Sequence, residues 1–158
     1  VATNSLVRES HIGERSIVGF STEVARSYVG NDVWTHTNYI GDSVIGNNVA
    51  FGAGAVTGNL RLDEKNIYVL DHEGNKIDTQ MNKFGLITGD NVRIGVNSSM
   101  MPGIKIGSNS FVGAGIVIGE NIPENSFARG DWKLKITENT HKLDPKTREN
   151  FILNLKRP

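Results

Sequence analysis

The sequence predicts an all-β protein built as a left-handed parallel β-helix of hexapeptide repeats, with an inserted hairpin loop and a short C-terminal helical extension. Two observations carry this expectation. An aliphatic residue followed by a small one recurs every six positions through two blocks of the chain. Glycine is abundant, at 18 of 158 residues, and Asn/Asp pairs stand where a chain with that beat has to turn.

The first block reads Ile12-Gly13, Val18-Gly19, Val24-Ala25, Val29-Gly30, Ile40-Gly41, Ile45-Gly46 and Phe51-Gly52, with Thr57-Gly58 as a degraded copy. Its phase slips by one residue in places. The second block keeps strict phase through Thr88-Gly89, Ile94-Gly95, Ile106-Gly107, Val112-Gly113 and Ile118-Gly119, with Met100 filling the gap. Neither a helical period of 3.6 nor an alternation of two produces a beat of six. Each hexad makes one short strand and one turn, and three hexads close one triangular coil. The aliphatic side chain points into the prism and the small residue fits the corner. Asn31-Asp32, Asn47-Asn48 and Asp90-Asn91 supply residues for which left-handed backbone is cheap. At roughly 18 residues per coil, residues 6–57 provide about three coils and residues 88–122 about two more. With strands ~4.8 Å apart the prism is roughly 25 Å tall.

Residues 60–86 break the beat. Asn66-Ile-Tyr-Val-Leu70 and Lys76-Ile-Asp-Thr79 flank His72-Glu-Gly-Asn75, the pattern of a small hairpin on a long loop. A loop of this size leaving a regular solenoid is more often functional than idle. Beyond Pro123 the repeats stop, and residues 131–135 mix aromatic and basic character. Asp144-Pro145 reads as an N-cap and first helical position, and Phe151, Ile152 and Leu155 give the helix an apolar face. That tail is expected to cap the prism or to pack on a neighbouring subunit.

Composition narrows the function. Lys+Arg and Asp+Glu both number 17, so no charge excess points to nucleic acid or a membrane surface. The chain has no cysteine, which excludes disulfides and thiolate metal sites and fits a reducing cytoplasm. No apolar run approaches the ~20 residues that span a bilayer. The start at Val1 predicts a piece of something longer.

Three motifs stand apart from what the repeat requires: His36-Thr-Asn-Tyr39-Ile-Gly-Asp42, Phe51-Gly-Ala-Gly54 running on to Asn59, and Asn82-Lys83-Phe84. In that order the chain, over about residues 6–130, resembles the C-terminal acetyltransferase domain of the bifunctional N-acetylglucosamine-1-phosphate uridyltransferase/glucosamine-1-phosphate acetyltransferases. It is closest to their archaeal-type sugar-1-phosphate nucleotidyltransferase relatives. The resemblance implies a β-helix domain over residues 1–130, an extension over 131–158, and a nucleotidyltransferase domain preceding Val1. It also implies a homotrimer with active sites between subunits.

The implied reaction moves the acetyl group of acetyl-CoA onto the amine of glucosamine 1-phosphate, or its galactosamine analogue. The amine must lose a proton to attack the thioester, and histidine is the natural base for that step. The resemblance assigns that role to His36, with Asn59 orienting the amine or the acetyl carbonyl. Tyr39 and Lys83 match sugar-phosphate positions, and Arg8 and Arg26 correspond to a basic pair for the phosphate. Ala53 and Ala114 match positions where backbone meets the pantetheine arm, with Arg129, Lys133 and Lys135 as partners for the phosphates of CoA. His11, His72 and His141 match no motif and read as surface residues. Two positions depart from the family: Ala50 replaces a sugar-contacting Asn, and Val96 replaces a CoA-contacting Ser. Against the enzyme stands a non-catalytic reading, a trimerisation and regulatory module for a nucleotidyltransferase. A metal hydratase would need three histidines on one ion, and no His-x₄-His pair exists here, so no metal is expected.

Overall fold

A computed structural model describes residues 1–142 and 144–155; the remaining positions of the expected extension, 143 and 156–158, lie outside the described residues. The chain winds as a parallel β-helix with three faces. Face one stacks Leu6–Arg8, Glu23–Ala25, Tyr39–Gly41, Val56–Thr57, Ser99–Met100 and Val117–Ile118. Face two stacks His11–Ile12, Tyr28–Val29, Val44–Ile45, Ile87–Thr88 and Lys105–Ile106. Face three stacks Ala50–Phe51, Arg93–Ile94, Phe111–Val112 and Phe127–Ala128, and single bridges carry it back through Trp34 to Ile17. Face one has six rungs, the number that five coils beginning and ending on it require. The early coils are short: Leu6 pairs with Glu23 and Glu23 with Tyr39, spacings below the ideal eighteen.

The predicted aliphatic column forms the core. Val24, Val29, Ile40, Ile45, Phe51, Ile94, Met100 and Ile106 are all 3% exposed or less. Met100 fills the position expected of it. A second inward column, not visible in the hexad beat, lies two residues before each aliphatic one: Thr22, Ser27, Val33, Asn38, Ser43, Val49, Ala55, Val92, Ser98 and Ser110 are buried too. Its polar members bind the corner backbone. Ser43 Oγ, for example, donates to Gly41 O at 2.7 Å and accepts from Leu86 N at 3.0 Å. Among the described residues no buried side-chain N or O lacks a hydrogen-bond partner.

The corner between faces two and three shows why the Asn/Asp pairs are there. The second residue of each takes positive φ: Asp32 at 58°, Asn48 at 53° and Asn91 at 59°. The first residue accepts a backbone N–H from the coil before it, as when Asn31 N donates to Asn47 Oδ1 and Asn47 N to Asp90 Oδ1. The positive-φ asparagines also form a ladder, Asn48 to Asn91 to Asn109 to Asn125, at 2.8, 3.0 and 3.2 Å. Glycine is needed just before this corner because coils approach closely. A Cβ on Gly46 would overlap the Gly89 carbonyl.

The inserted loop leaves at the corner between faces one and two. Phe84 N donates to Asn59 O at 2.9 Å, which closes the loop at its base. Tyr68–Leu70 and Lys76–Asp78 form the expected antiparallel hairpin, turning through Asp71 to Asn75. The hairpin folds back along the later coils: Ile67 is buried, and Lys105 Nζ donates to the Leu70 carbonyl.

Asp144 caps the helix Pro145–Leu155 as predicted, its Oδ1 accepting from Lys146 N at 3.0 Å. The helix buries no residue, and Trp132, Leu134 and Ile136 are exposed. It does not cap the prism of its own chain; the other expected packing, on a neighbouring subunit, concerns the exposed Phe151, Ile152 and Leu155 in an assembly. Among the described residues no helix is long and apolar enough to cross a membrane.

Candidate active site

The motif residues gather at the two edges of face one. At the corner between faces three and one, His36 is exposed and its backbone is fixed from both sides. Its N–H donates to Asn38 Oδ1 at 2.7 Å, and its carbonyl accepts from Thr22 Oγ1. Asn38 is 5% exposed and spends its amide on Gly52 O and Ala55 O at 2.8 and 2.9 Å. Among the described residues this corner is the one place where the coil turns between these faces with no positive-φ residue; the rungs below use Gly54, Asn97 and Gly115. Asn38 replaces that turn with a side-chain clamp. Sequence reading passed over it, although it lies inside the motif, because an asparagine there looks like a turn residue.

The predicted CoA residues lie on the same corner. Gly54 N donates to Thr37 O, Asn97 N to Ala53 O and Gly115 N to Val96 O, so Thr37, Ala53, Val96 and Ala114 form one column beginning beside His36. Phe111–Val112 pairs with Phe127–Ala128, which sets Arg129 one rung below Gly113 and beside the end of that column. The column is a strip of small side chains and exposed backbone with a histidine at one end and a guanidinium at the other. Lys133 and Lys135, in the exposed extension, make no hydrogen bond or ion pair among the described residues.

The other edge of face one holds a charged cluster. Arg26 donates bidentately to Asp42, Nε to Oδ1 at 2.6 Å and Nη2 to Oδ2 at 2.8 Å. Asn59 Nδ2 donates to Asp42 Oδ2 and, at 3.0 Å, to Tyr39 Oη. Burial pushes the Asp42 carboxyl up, but hydrogen bonds from Arg26 and Asn59 and the charges of Arg26 and Lys83 outweigh it and hold the group below its ordinary range. The same hydrogen bond with Asp42 raises Arg26. Arg8 is likewise engaged, its Nη2 2.7 Å from Glu23 Oε1. Both arginines expected to hold a phosphate are thus bound to carboxylates, while Lys83 reaches the cluster without an ion pair of its own among the described residues.

The Asp42 arrangement makes stability depend on acid. A carboxyl whose folded pKa is depressed contributes stability above its unfolded value and loses it as pH falls through the folded one. As pH falls through and below the ordinary aspartate value of about 4, melting temperature should therefore fall more steeply for wild type than for Asp42→Asn. Equal slopes would show that Asp42 adds nothing; Asp32, Asp63 and Asp71, also lowered, remain in both proteins.

Tyr39 lies along face one rather than out from it. A Cβ on Gly41 would fall 2.5 Å from Tyr39 Oη and 2.8 Å from Asn59 Nδ2. Gly41 is therefore the floor on which the Tyr39–Asn59 hydrogen bond rests. Gly41→Ala should lift the ring off Asn59 and leave the fold intact, costing about one hydrogen bond of stability, ~1 kcal/mol. A melting curve that matches wild type would show that the Tyr39–Asn59 bond does not rest on Gly41.

The His36 imidazole makes no hydrogen bond with Tyr39 or Asn59, which belong to the opposite edge of the face. Four residues of strand, ~13 Å, separate Asn38 from Asp42 across it. Among the described residues no three His, Asp or Glu side chains converge on a common metal position.

The six-residue beat, the three parallel faces and the corner column define a hexapeptide-repeat β-helix, and residues 85–120 match the family model described as the hexapeptide repeat of succinyl-transferase. The relatives are more particular. The chain is 41% identical over 116 residues to the bifunctional protein GlmU of Methanocaldococcus jannaschii, covering 73% of this chain and 28% of that protein. It is 40% identical over 94 residues to the bifunctional sugar-1-phosphate nucleotidylyltransferase/acetyltransferase of Sulfurisphaera tokodaii, covering 58% of this chain and 23% of that one. The chain thus spans under a third of the length of these curated relatives and is similar to that segment of them. Among solved structures, PerB of Caulobacter crescentus, in complex with CoA and GDP-perosamine, shares the fold with a TM-score of 0.62 at 18% identity, over 80% of this chain and 51% of that one.

Proposed function

We propose that this chain transfers the acetyl group of acetyl-CoA to the amine of a hexosamine 1-phosphate, glucosamine 1-phosphate or its galactosamine analogue. The observation that carries the reading is His36, an exposed imidazole clamped by its backbone at the head of the Ala53–Ala114 column. The thioester arm runs down that column on backbone groups, with Arg129 at its foot for a phosphate. His36 takes a proton from the sugar ammonium or from the attacking amine. The amine nitrogen bonds to the thioester carbonyl carbon, the tetrahedral intermediate collapses, and the C–S bond breaks. CoA leaves as a thiolate that accepts a proton. The names of the relatives, which pair sugar-1-phosphate nucleotidyl transfer with acetyl transfer, support the acceptor class, and a nucleotidyltransferase domain N-terminal to this segment belongs to the same proposal.

The proposal includes a homotrimer. A threefold assembly is heterologous: one edge of a surface meets the opposite edge of the same surface on the next copy. Packing face one around the axis would therefore bring His36 of one copy towards the Tyr39–Asn59–Lys83 edge of the next, which no single chain does. Asn59 then orients the reacting groups and Lys83 meets the sugar phosphate. Arg8 and Arg26, already neutralised, serve to fix that edge.

One observation favours the scaffold reading: the arginines that resemblance assigns to phosphate are both occupied by carboxylates. Release of CoA thiol from acetyl-CoA, measured with and without glucosamine 1-phosphate or galactosamine 1-phosphate, decides between the two. Sugar-dependent release is expected. A trimer by light scattering with no release for either sugar would leave the scaffold.

A further inference from the structure

The outward positions of face three run in register Ile17, Trp34, Ala50, Arg93, Phe111, Phe127. Ala50 is the one small side chain in this column. It leaves a notch of about 440 Å³ between Trp34 above and Arg93 below, rimmed by Asp32 and Asn48. Rungs ~4.8 Å apart put the backbones of the two walls ~10 Å from each other, and the Arg93 side chain reaches up the notch to Asn48.

The walls differ in chemistry. Trp34 is 58% exposed, so a broad apolar face looks onto the notch and solvent. Arg93 is bound unlike the arginines engaged elsewhere. Arg8, Arg15, Arg26 and Arg61 each hold a carboxylate. Arg93 donates only to neutral oxygens: Nη1 to the carbonyls of Asn48 and Val92, and Nη2 to Asn48 Oδ1 at 2.9 Å. Its guanidinium is held in place while its charge stays uncompensated among the described residues. The carboxylate on the rim, Asp32, is already matched by Arg15 through two 2.7 Å bonds and adds little net charge. A flat apolar wall facing a fixed cation across a floor without side-chain bulk suits a ring that bears an anion.

We propose that this notch binds a phosphorylated sugar, with the ring stacked on the Trp34 indole and the phosphate on the Arg93 guanidinium. The proposal rests on the acetyl-acceptor reading above and names where the acceptor is gripped. Trp34 and His36 both project outward, two residues apart along the coil and so ~7 Å from each other. A ring on Trp34 lies beside the corner that carries the base. Ala50 acts by its smallness: a larger side chain would fill the space between the walls. Arg93 shares the phosphate with the Lys83 that a neighbouring copy brings to this corner, a charge that Arg8 and Arg26, held by carboxylates, cannot supply.

The test uses the full chain. With Trp132→Phe as background, Trp34 is the sole tryptophan, the chain having two. Glucosamine 1-phosphate should change its emission at concentrations where glucosamine does not, and inorganic phosphate should compete. Arg93→Ala and Ala50→Leu should each weaken that response by ~10–100-fold, the worth of a charge-assisted contact. Arg93→Lys should recover part of it. In turnover, Arg93→Ala should raise the Michaelis constant for the sugar phosphate far more than it lowers kcat. Emission unmoved by saturating sugar phosphate, or a Michaelis constant unchanged in both Arg93→Ala and Trp34→Ala, would overturn the notch while leaving acetyl transfer in place. A Trp34 response lost in Arg93→Ala, in a protein that releases no CoA, would uphold the notch and sink the acetyl-transfer reading instead.

Discussion

Replacing His36 with alanine should lower sugar-dependent CoA release by roughly 10²–10⁴-fold, the usual contribution of a positioned general base. The fold should not suffer. The imidazole is exposed and has no hydrogen-bond partner among the described residues, and what the structure uses at residue 36 is its backbone, an N–H bound to Asn38 and a carbonyl bound to Thr22. Alanine keeps both groups. Melting temperature and oligomeric state should therefore match wild type, and the Michaelis constant for acetyl-CoA should move little. Turnover within a few-fold of wild type would remove His36 as the base, whatever the sugar dependence.

The largest loss of stability should come from Asn38, which does no chemistry. Its buried amide and carbonyl make three hydrogen bonds, to His36 N, Gly52 O and Ala55 O, across the corner that has no left-handed residue. Asn38→Ala strips partners from three backbone groups in a space water enters poorly. The expected cost is ~3 kcal/mol, or roughly 6–12 °C in melting temperature for a chain of this size. Asn38→Asp should be worse at neutral pH, because a carboxylate would face two carbonyl oxygens, and should recover in acid as it protonates. Loss of the clamp also frees the His36 backbone, so kcat should fall more than the Michaelis constant rises. A melting temperature within about 2 °C of wild type in Asn38→Ala would show that the corner holds without its clamp.

Much of this protein is set by local sequence, for a simple reason. A β-helix is quasi-one-dimensional: each coil packs on its neighbours through residues that recur in sequence, so the inward column from Val24 to Ile118 can be read as a period. The Asn/Asp pairs at one corner are legible for the same reason, since a positive φ favours few residue types. The hairpin in the loop and the Asp144 cap depend on neighbours in the chain and were equally open to reading. What the sequence left open depends on which coil faces which. The second buried column was hidden because Thr22, Ser27, Asn38 and Ser43 are polar types, and only the corner carbonyls they meet make them interior residues. Arg8 and Arg26 look like free cations in sequence, but stacking sets Glu23 and Asp42 beside them, 15 and 16 residues on, and a bidentate partner within reach is taken. The same stacking brings Trp34, Ala50 and Arg93 together, although 59 residues and a whole inserted loop separate the first from the last. Sequence alone determined the coil and the motif that rides on it. Only the tertiary structure decided which charges remain free, because neutralisation is settled by neighbours one rung away, and a rung is distant along the chain.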